Sequence, residues 1–353
     1  MQLLLIAAFI TSIPKVQAST ANRQPQLASA PGLTALVFGS GDSIWFAASH
    51  DEGRTFAPAK EVGRLPALML GRHRGPRVVI SGKTIVISAI NGGTSDPVTR
   101  DHGSAVEGDL VAWRSEDEGR SWSKPVVIND VPGSAQEGLH AMASADGSMA
   151  AVWLDTRSSN KHLYGAYSRD GGATWSKNVL IYGQPGRTIC PCCDPSIAAA
   201  GKDRFKVMFR NVVQSARDMY MAGWDIDGQV STAQKLGEGS WQINACPMDG
   251  GGIAHRGNMT VTAWRRDHTV YLDEPGRPEI AAGEGKDVAV ALTTRGPFVA
   301  WVNSSGVELY GGRKKETLCL SPAGSFPSLA SLPNGSVLAA WEQDGKIKLE
   351  IVR

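Results

Sequence analysis

Three cysteines stand within four residues at Cys190-Pro-Cys192-Cys193, and a fourth lies in Cys246-Pro-Met248-Asp249. Two chemistries compete for such a set. Thiolate with thioether suits Cu(I), and thiolate with imidazole suits Zn or Cu, so Cys190, Cys192, Cys193, Cys246, Met248 and His140 are candidate metal ligands, with His73 in reach. The other chemistry is oxidation. Four of the five cysteines can pair as disulfides, for example one of Cys190, Cys192 or Cys193 with Cys246, stapling two neighbouring units. The spacing matches no finger or ribbon, and both readings stay open. Cys319 falls on a predicted outer strand and reads as a small buried apolar residue.

Arginines form the second chemical set. Arg74 and Arg77 lie in Arg72-His73-Arg74-Gly75-Pro76-Arg77, and Arg157, Arg210 and Arg265 each follow an apolar run. A planar guanidinium forks a carboxylate through two parallel hydrogen bonds, so several converging arginines are the usual device for holding an anionic ligand. The plainer alternative pairs each with a nearby acid, as in Asp155…Arg157 and Arg217-Asp218.

The elements that must position these residues are repeated. Ser49-His-Asp51-Glu-Gly53-Arg-Thr55-Phe56, Ser115-Glu-Asp117-Glu-Gly119-Arg-Ser121-Trp122 and Ser168-Arg-Asp170-Gly-Gly172-Ala-Thr174-Trp175 share the pattern S-x-D-x-G-x-[ST]-[WF]. The carboxylate accepts N–H bonds across a tight turn, the glycine supplies a left-handed backbone, and the aromatic ring plugs the space between strands. About seven units of short strand, turn and apolar strand run the length of the chain, four of them ending in Trp153, Trp264, Trp301 or Trp341. With 40 glycines, 19 prolines and no long amphipathic helix, this predicts an all-β propeller of six or seven four-stranded antiparallel blades, in one domain over residues 19–353. The last unit has room for three strands, so its closing strand is expected from the mature N-terminus. In that register the Cys190 and Cys246 loops, the Arg74/Arg77 loop and Glu137-Gly-Leu-His140 all lead into an innermost strand. Arg157, Arg210 and Arg265 follow the second strands. All fall on one face around the channel mouth, where propellers bind ligands. The acidic turns fall on the opposite face and are structural.

The three turns resemble the Asp-box (BNR) repeat, and the chain resembles the sialidase-like β-propellers that carry it. That resemblance implies a carboxylate clamp of arginines, for which Arg74 or Arg77, Arg157, Arg210 and Arg265 are the candidates. It also implies a Tyr nucleophile paired with a Glu, and an Asp acid/base. Asp96 or Asp101 in the long loop 91–109 is the candidate acid, Tyr271 or Tyr310 the nucleophile, and Glu137 its partner. The implied activity is binding or hydrolysis of an acidic glycan, although the fold also serves non-catalytic proteins.

Lys and Arg total 36 against 34 Asp and Glu, a balance that argues against nucleic acid as partner. Leu3–Ile10 followed by Val16-Gln17-Ala18 reads as a signal peptide cleaved after Ala18, too short to span a bilayer, and predicts a secreted or periplasmic protein. Among the remaining histidines, His50 and His162 read as solvated, while His102 is a weaker ligand candidate. No phosphate loop, nucleophile elbow or dinucleotide fingerprint is present.

Overall fold

A computed structural model describes residues 10–92, 108–158, 160–183, 189–312 and 315–353, and among these every regular element is a strand. Seven antiparallel sheets follow one another around a ring. Their innermost strands are Arg23–Ala30, Arg77–Ser81, Ala135–Ala145, Ser196–Ala199, Gly251–Arg256, Lys286–Thr293 and Ser325–Ser331, which define blades one to seven. Each innermost strand neighbours the next, and Arg23–Ala30 meets Ser325–Ser331 to close the circle. The count left open by the repeats is seven. In blade four the outermost strand is split into Gln229–Val230 and Gln234–Lys235.

The ring coheres because every second strand is apolar on both faces. Leu33–Ser40 is buried throughout, Leu36 and Phe38 packing towards Leu338 of blade seven and Ala35 and Val37 towards Ile85 and Ile87 of blade two. Period-two alternation therefore assigns successive residues to two different inter-blade cores, and such strands read as continuous apolar runs. Trp153, Trp264, Trp301 and Trp341 are all buried in these seams, as their fixed repeat position implies.

The three acidic turns have one geometry. Asp51 Oδ1 accepts the Thr55 N–H at 2.9 Å and Oδ2 accepts the Thr55 hydroxyl at 2.6 Å. Ser49 Oγ donates to Asp51 and accepts the Gly53 N–H at 2.8 Å. Asp117 and Asp170 repeat the arrangement. Desolvation alone would push the Asp51 carboxyl up, but the bonds from Thr55 and Ser49 hold it at about 2. The pattern's glycine meets two demands at once. Gly119 has φ of 83°, and a Cβ there would lie 2.1 Å from the Phe46 ring of blade one. Gly53 approaches Leu338 and Gly172 approaches Val86 in the same way, so each turn is a wedge against the preceding blade. Trp122 completes it, meeting Phe46 edge-on at 5.2 Å.

Ile10–Ile13 supplies the outermost strand of blade seven, pairing in register with Ile347–Glu350. The closing strand does not come from the expected mature N-terminus but from residues upstream of the expected cleavage point after Ala18. Ile13 is buried with Leu349 and Leu332, and Asn22, fully buried, ties the segment down through the Pro14 carbonyl and the Val16 N–H. No helix among the described residues is long and apolar enough to cross a membrane.

Candidate functional site

The loop between blades three and four gathers the cysteines. Sγ of Cys190 lies 3.1 Å from that of Cys193 and 3.7 Å from that of Cys192, and the latter two are 4.0 Å apart. All three are buried, with Cys246, Met248 and Val212 packed on them. All five cysteines are free thiols in the structure. Three sulfurs on one tetrahedral ion stand about 3.8 Å apart, given metal–sulfur bonds of about 2.3 Å. Two of the three observed separations, 3.7 and 4.0 Å, are close to that, and the Cys190–Cys193 separation is shorter. Arg217 Nη1 donates to Cys190 Sγ at 3.4 Å. Hydrogen bonds from Cys192 and Cys193, together with Arg210 and Arg217, hold Cys190 well below the usual thiol range, whereas burial pushes Cys193 up.

Arg210 stitches this loop to the next. Its carbonyl accepts the Cys190 N–H at 3.1 Å, while its guanidinium donates to the carbonyls of Asp249 (3.1 Å), Arg217 (2.8 Å) and Arg265 (2.9 Å). Asp194 Oδ1 accepts the Gly250 N–H at 3.0 Å. Arg265 donates to the Pro247 carbonyl at 3.0 Å, and its Nε lies 3.0 Å from Asp249 Oδ2 as an ion pair. The Cys246–Asp249 segment is therefore clamped against the cysteine loop at several points.

The mouth itself is roofed. The loop before blade two crosses towards the far side, where Arg72 Nη1 donates to Met248 Sδ at 3.5 Å and His73 Nε2 meets Asp287 at 2.8 Å. Phe326 of blade seven stands edge-on to the imidazole, and Asp194 lies 3.9 Å from Nδ1. Burial works against a charged His73, but Asp194, Asp287 and Asp249 raise it to about 9. Burial lifts Asp249 to about 6, against the pull of His73 and Arg265. The contacts of Arg72, Arg217 and these aspartates were not legible in the sequence, because the partners come from segments far apart in the chain.

The arginines do not form a free clamp. Arg77 is buried and donates to the carbonyls of His73, Gly75 and Pro76. Arg74 is buried against Gly138. Arg157 forks Asp155 at 2.8 and 2.9 Å, reaches Asp130 at 3.0 Å and stacks on Tyr164. Arg210 and Arg265 are held as described, both over Trp241. The nearby-acid alternative holds for Arg157 and Arg265. It fails for Arg217, whose expected partner Asp218 instead accepts from Ser240 and Trp241.

Several other candidates fall elsewhere. His140 is fully buried between Ser88 and the Gly138 carbonyl, its two ring nitrogens occupied, and burial with the Arg77 charge lowers it to about 3. It is a packing histidine, away from the sulfurs. Tyr271 packs in the seam between blades four and five under the Arg266 guanidinium. Tyr310 lies on the acidic-turn face, in a cleft with Glu274, Arg277, Arg295 and Lys315. Cys319 is exposed, because the outermost strand Glu316–Ser321 turns that residue to solvent. Asp96, Asp101 and His102 lie outside the described residues, as does the side chain of Glu137.

No family profile and no curated relative matches this sequence. Solved structures do match the fold. A Dyadobacter fermentans protein of unknown function shares 14% identity at a TM-score of 0.56, over 98% of this chain and 100% of that one. An intramolecular trans-sialidase from Ruminococcus gnavus shares 12% at 0.57, over 100% and 98%. An α-L-arabinanase from Penicillium chrysogenum shares 11% at 0.53, over 98% and 97%. With seven four-stranded blades and acidic-turn wedges, the chain has the fold of the sialidase-like β-propellers.

Proposed function

We propose that this protein is an exported, non-hydrolytic propeller whose working centre is the sulfur cluster at the mouth, holding a soft metal cation, copper or zinc. The observation that carries this is the trio of buried thiols within 4.0 Å of one another on a single loop. Arg210 and Arg217 offset the negative charge such a site accumulates. Arg77, Arg157, Arg210 and Arg265 already bond carbonyls and acids, and freeing a buried guanidinium costs about 1–3 kcal/mol for each unsatisfied group.

The protein, purified without oxygen or chelators, is expected to hold one copper or zinc per chain, and Cys192→Ser to lose it. Intact mass showing four oxidised thiols and no metal would overturn the reading. An acidic glycan is a second reading with one observation behind it. The cleft of about 350 Å³ between blades five and six combines Arg277, Arg295 and Lys315 with Tyr310 and Met259. Turnover or binding of a fluorogenic sialoside, lost in Arg295→Ala, would favour it.

A further inference from the structure

The sulfur ligands form a graded series. Cys190 and Cys193 are 1% and 2% exposed and Cys192 6%, while Cys246 and Met248 are only half-buried. The last two come from the neighbouring loop, 56 residues further on, and pack directly on the trio. They are fixed in place from both sides. Arg265 holds the Pro247 carbonyl between them, Arg210 holds the Asp249 carbonyl after them, and Asp194 holds the Gly250 N–H. Met248 adopts φ of 53°, a left-handed backbone unfavourable for a residue with a side chain. Strain of that kind persists only where the surroundings over-determine it, and it clusters at ligand clamps. Here the clamp leaves Met248 packed on the thiols, with Arg72 donating to its Sδ.

Resting on the sulfur-centre reading, we propose that the ion is monovalent copper and that Met248 and Cys246 are the ligands through which it enters and leaves. A thioether is a neutral soft donor that favours Cu(I) and adds little for Zn, which prefers thiolate, imidazole and carboxylate. One Cu(I) on three thiolates carries a net charge of −2, which the guanidiniums of Arg210 and Arg217 balance. The incoming ion meets the half-buried Met248 and Cys246 first and passes inward to Cys192, then to Cys190 and Cys193. Each thiol that binds releases a proton, and copper keeps its oxidation state throughout.

The test uses the full chain under anaerobic conditions, with the Cu(I)–bicinchoninate complex as donor and Zn(II) in a parallel series. Wild type is expected to take one Cu(I) per chain and to prefer it to Zn(II). Met248→Leu should still take one Cu(I) but load about tenfold more slowly or worse, the scale seen when a metal's supporting groups are removed. Its Zn(II) loading should be unchanged. Cys246→Ser should slow Cu(I) entry likewise, and near-UV dichroism checks that both variants fold. Wild-type loading rates in Met248→Leu, or a preference for Zn(II), would overturn this inference and leave the sulfur centre standing. If wild type takes neither ion and Cys192→Ser behaves identically, the sulfur-centre reading itself falls.

Discussion

Gly119→Ala and Gly147→Ala separate what an acidic turn does for the fold from what any tight turn does. Both glycines have nearly the same backbone, φ of 83° and 82°. A Cβ at Gly147 would meet nothing within 4 Å, whereas at Gly119 it would lie 2.1 Å from Phe46 Cε1 and 2.8 Å from Cδ1. The shared backbone penalty for a left-handed alanine is about 1–2 kcal/mol. Gly119→Ala adds an overpacking penalty of about 1–3 kcal/mol, because the Phe46 ring is buried against Trp122 and cannot swing aside. The destabilisation should therefore be about 2–5 kcal/mol against about 1–2, read as a clearly lower calorimetric midpoint for Gly119→Ala. Equal midpoints for the two variants would refute the reasoning that the turns wedge against the preceding blade.

Two further outcomes follow from the same geometry. His73 titrates at about 9 in the folded protein against an ordinary 6.5, so its stabilisation is complete below pH 6.5 and is lost as pH rises through about 9. Denaturation midpoints measured from pH 6 to pH 10 should fall across that window in wild type and stay flatter in His73→Gln; parallel profiles would count against the cation at the mouth. A chain beginning at Ser19 lacks Ile10–Ile13 and uncovers Ile347 and Leu349. It should melt below a chain beginning at Ile10, since Ile13 alone contributes about 1.5–3 kcal/mol by burial, and identical melting would show that the strand adds nothing.

Blade architecture was legible from the sequence because its signals are local. The S-x-D-x-G-x-[ST]-[WF] turn closes within five residues, so Asp51, Asp117 and Asp170 each announce their hydrogen bonds in one dimension. The apolar runs ending in Trp153 or Trp264 announce burial on both faces in the same way. From those, the face carrying Arg77, Cys190, Arg210 and Cys246 could be assigned. Tyr310 was misplaced because no motif tied it to the mouth, and it lies at the far end of a third strand. His140 was misread because imidazole looks the same in a string of letters whether it faces sulfur or a serine.

The sequence by itself determined the repeat, the blade register and the face on which the cysteine and arginine loops lie, since these depend on period and short-range turns. Only the tertiary structure decided which groups meet. Arg210 is a stitch between two loops, His73 sits among aspartates from three other blades, and Ile10–Ile13 pairs with a strand more than 330 residues away. The physical reason is that each partnership depends on loop path and rotamer in blades far apart in the chain. The Cys190–Cys193 trio falls between the two cases. Its proximity is written in the sequence, and the fold alone brought Cys246 and Met248 to its open side.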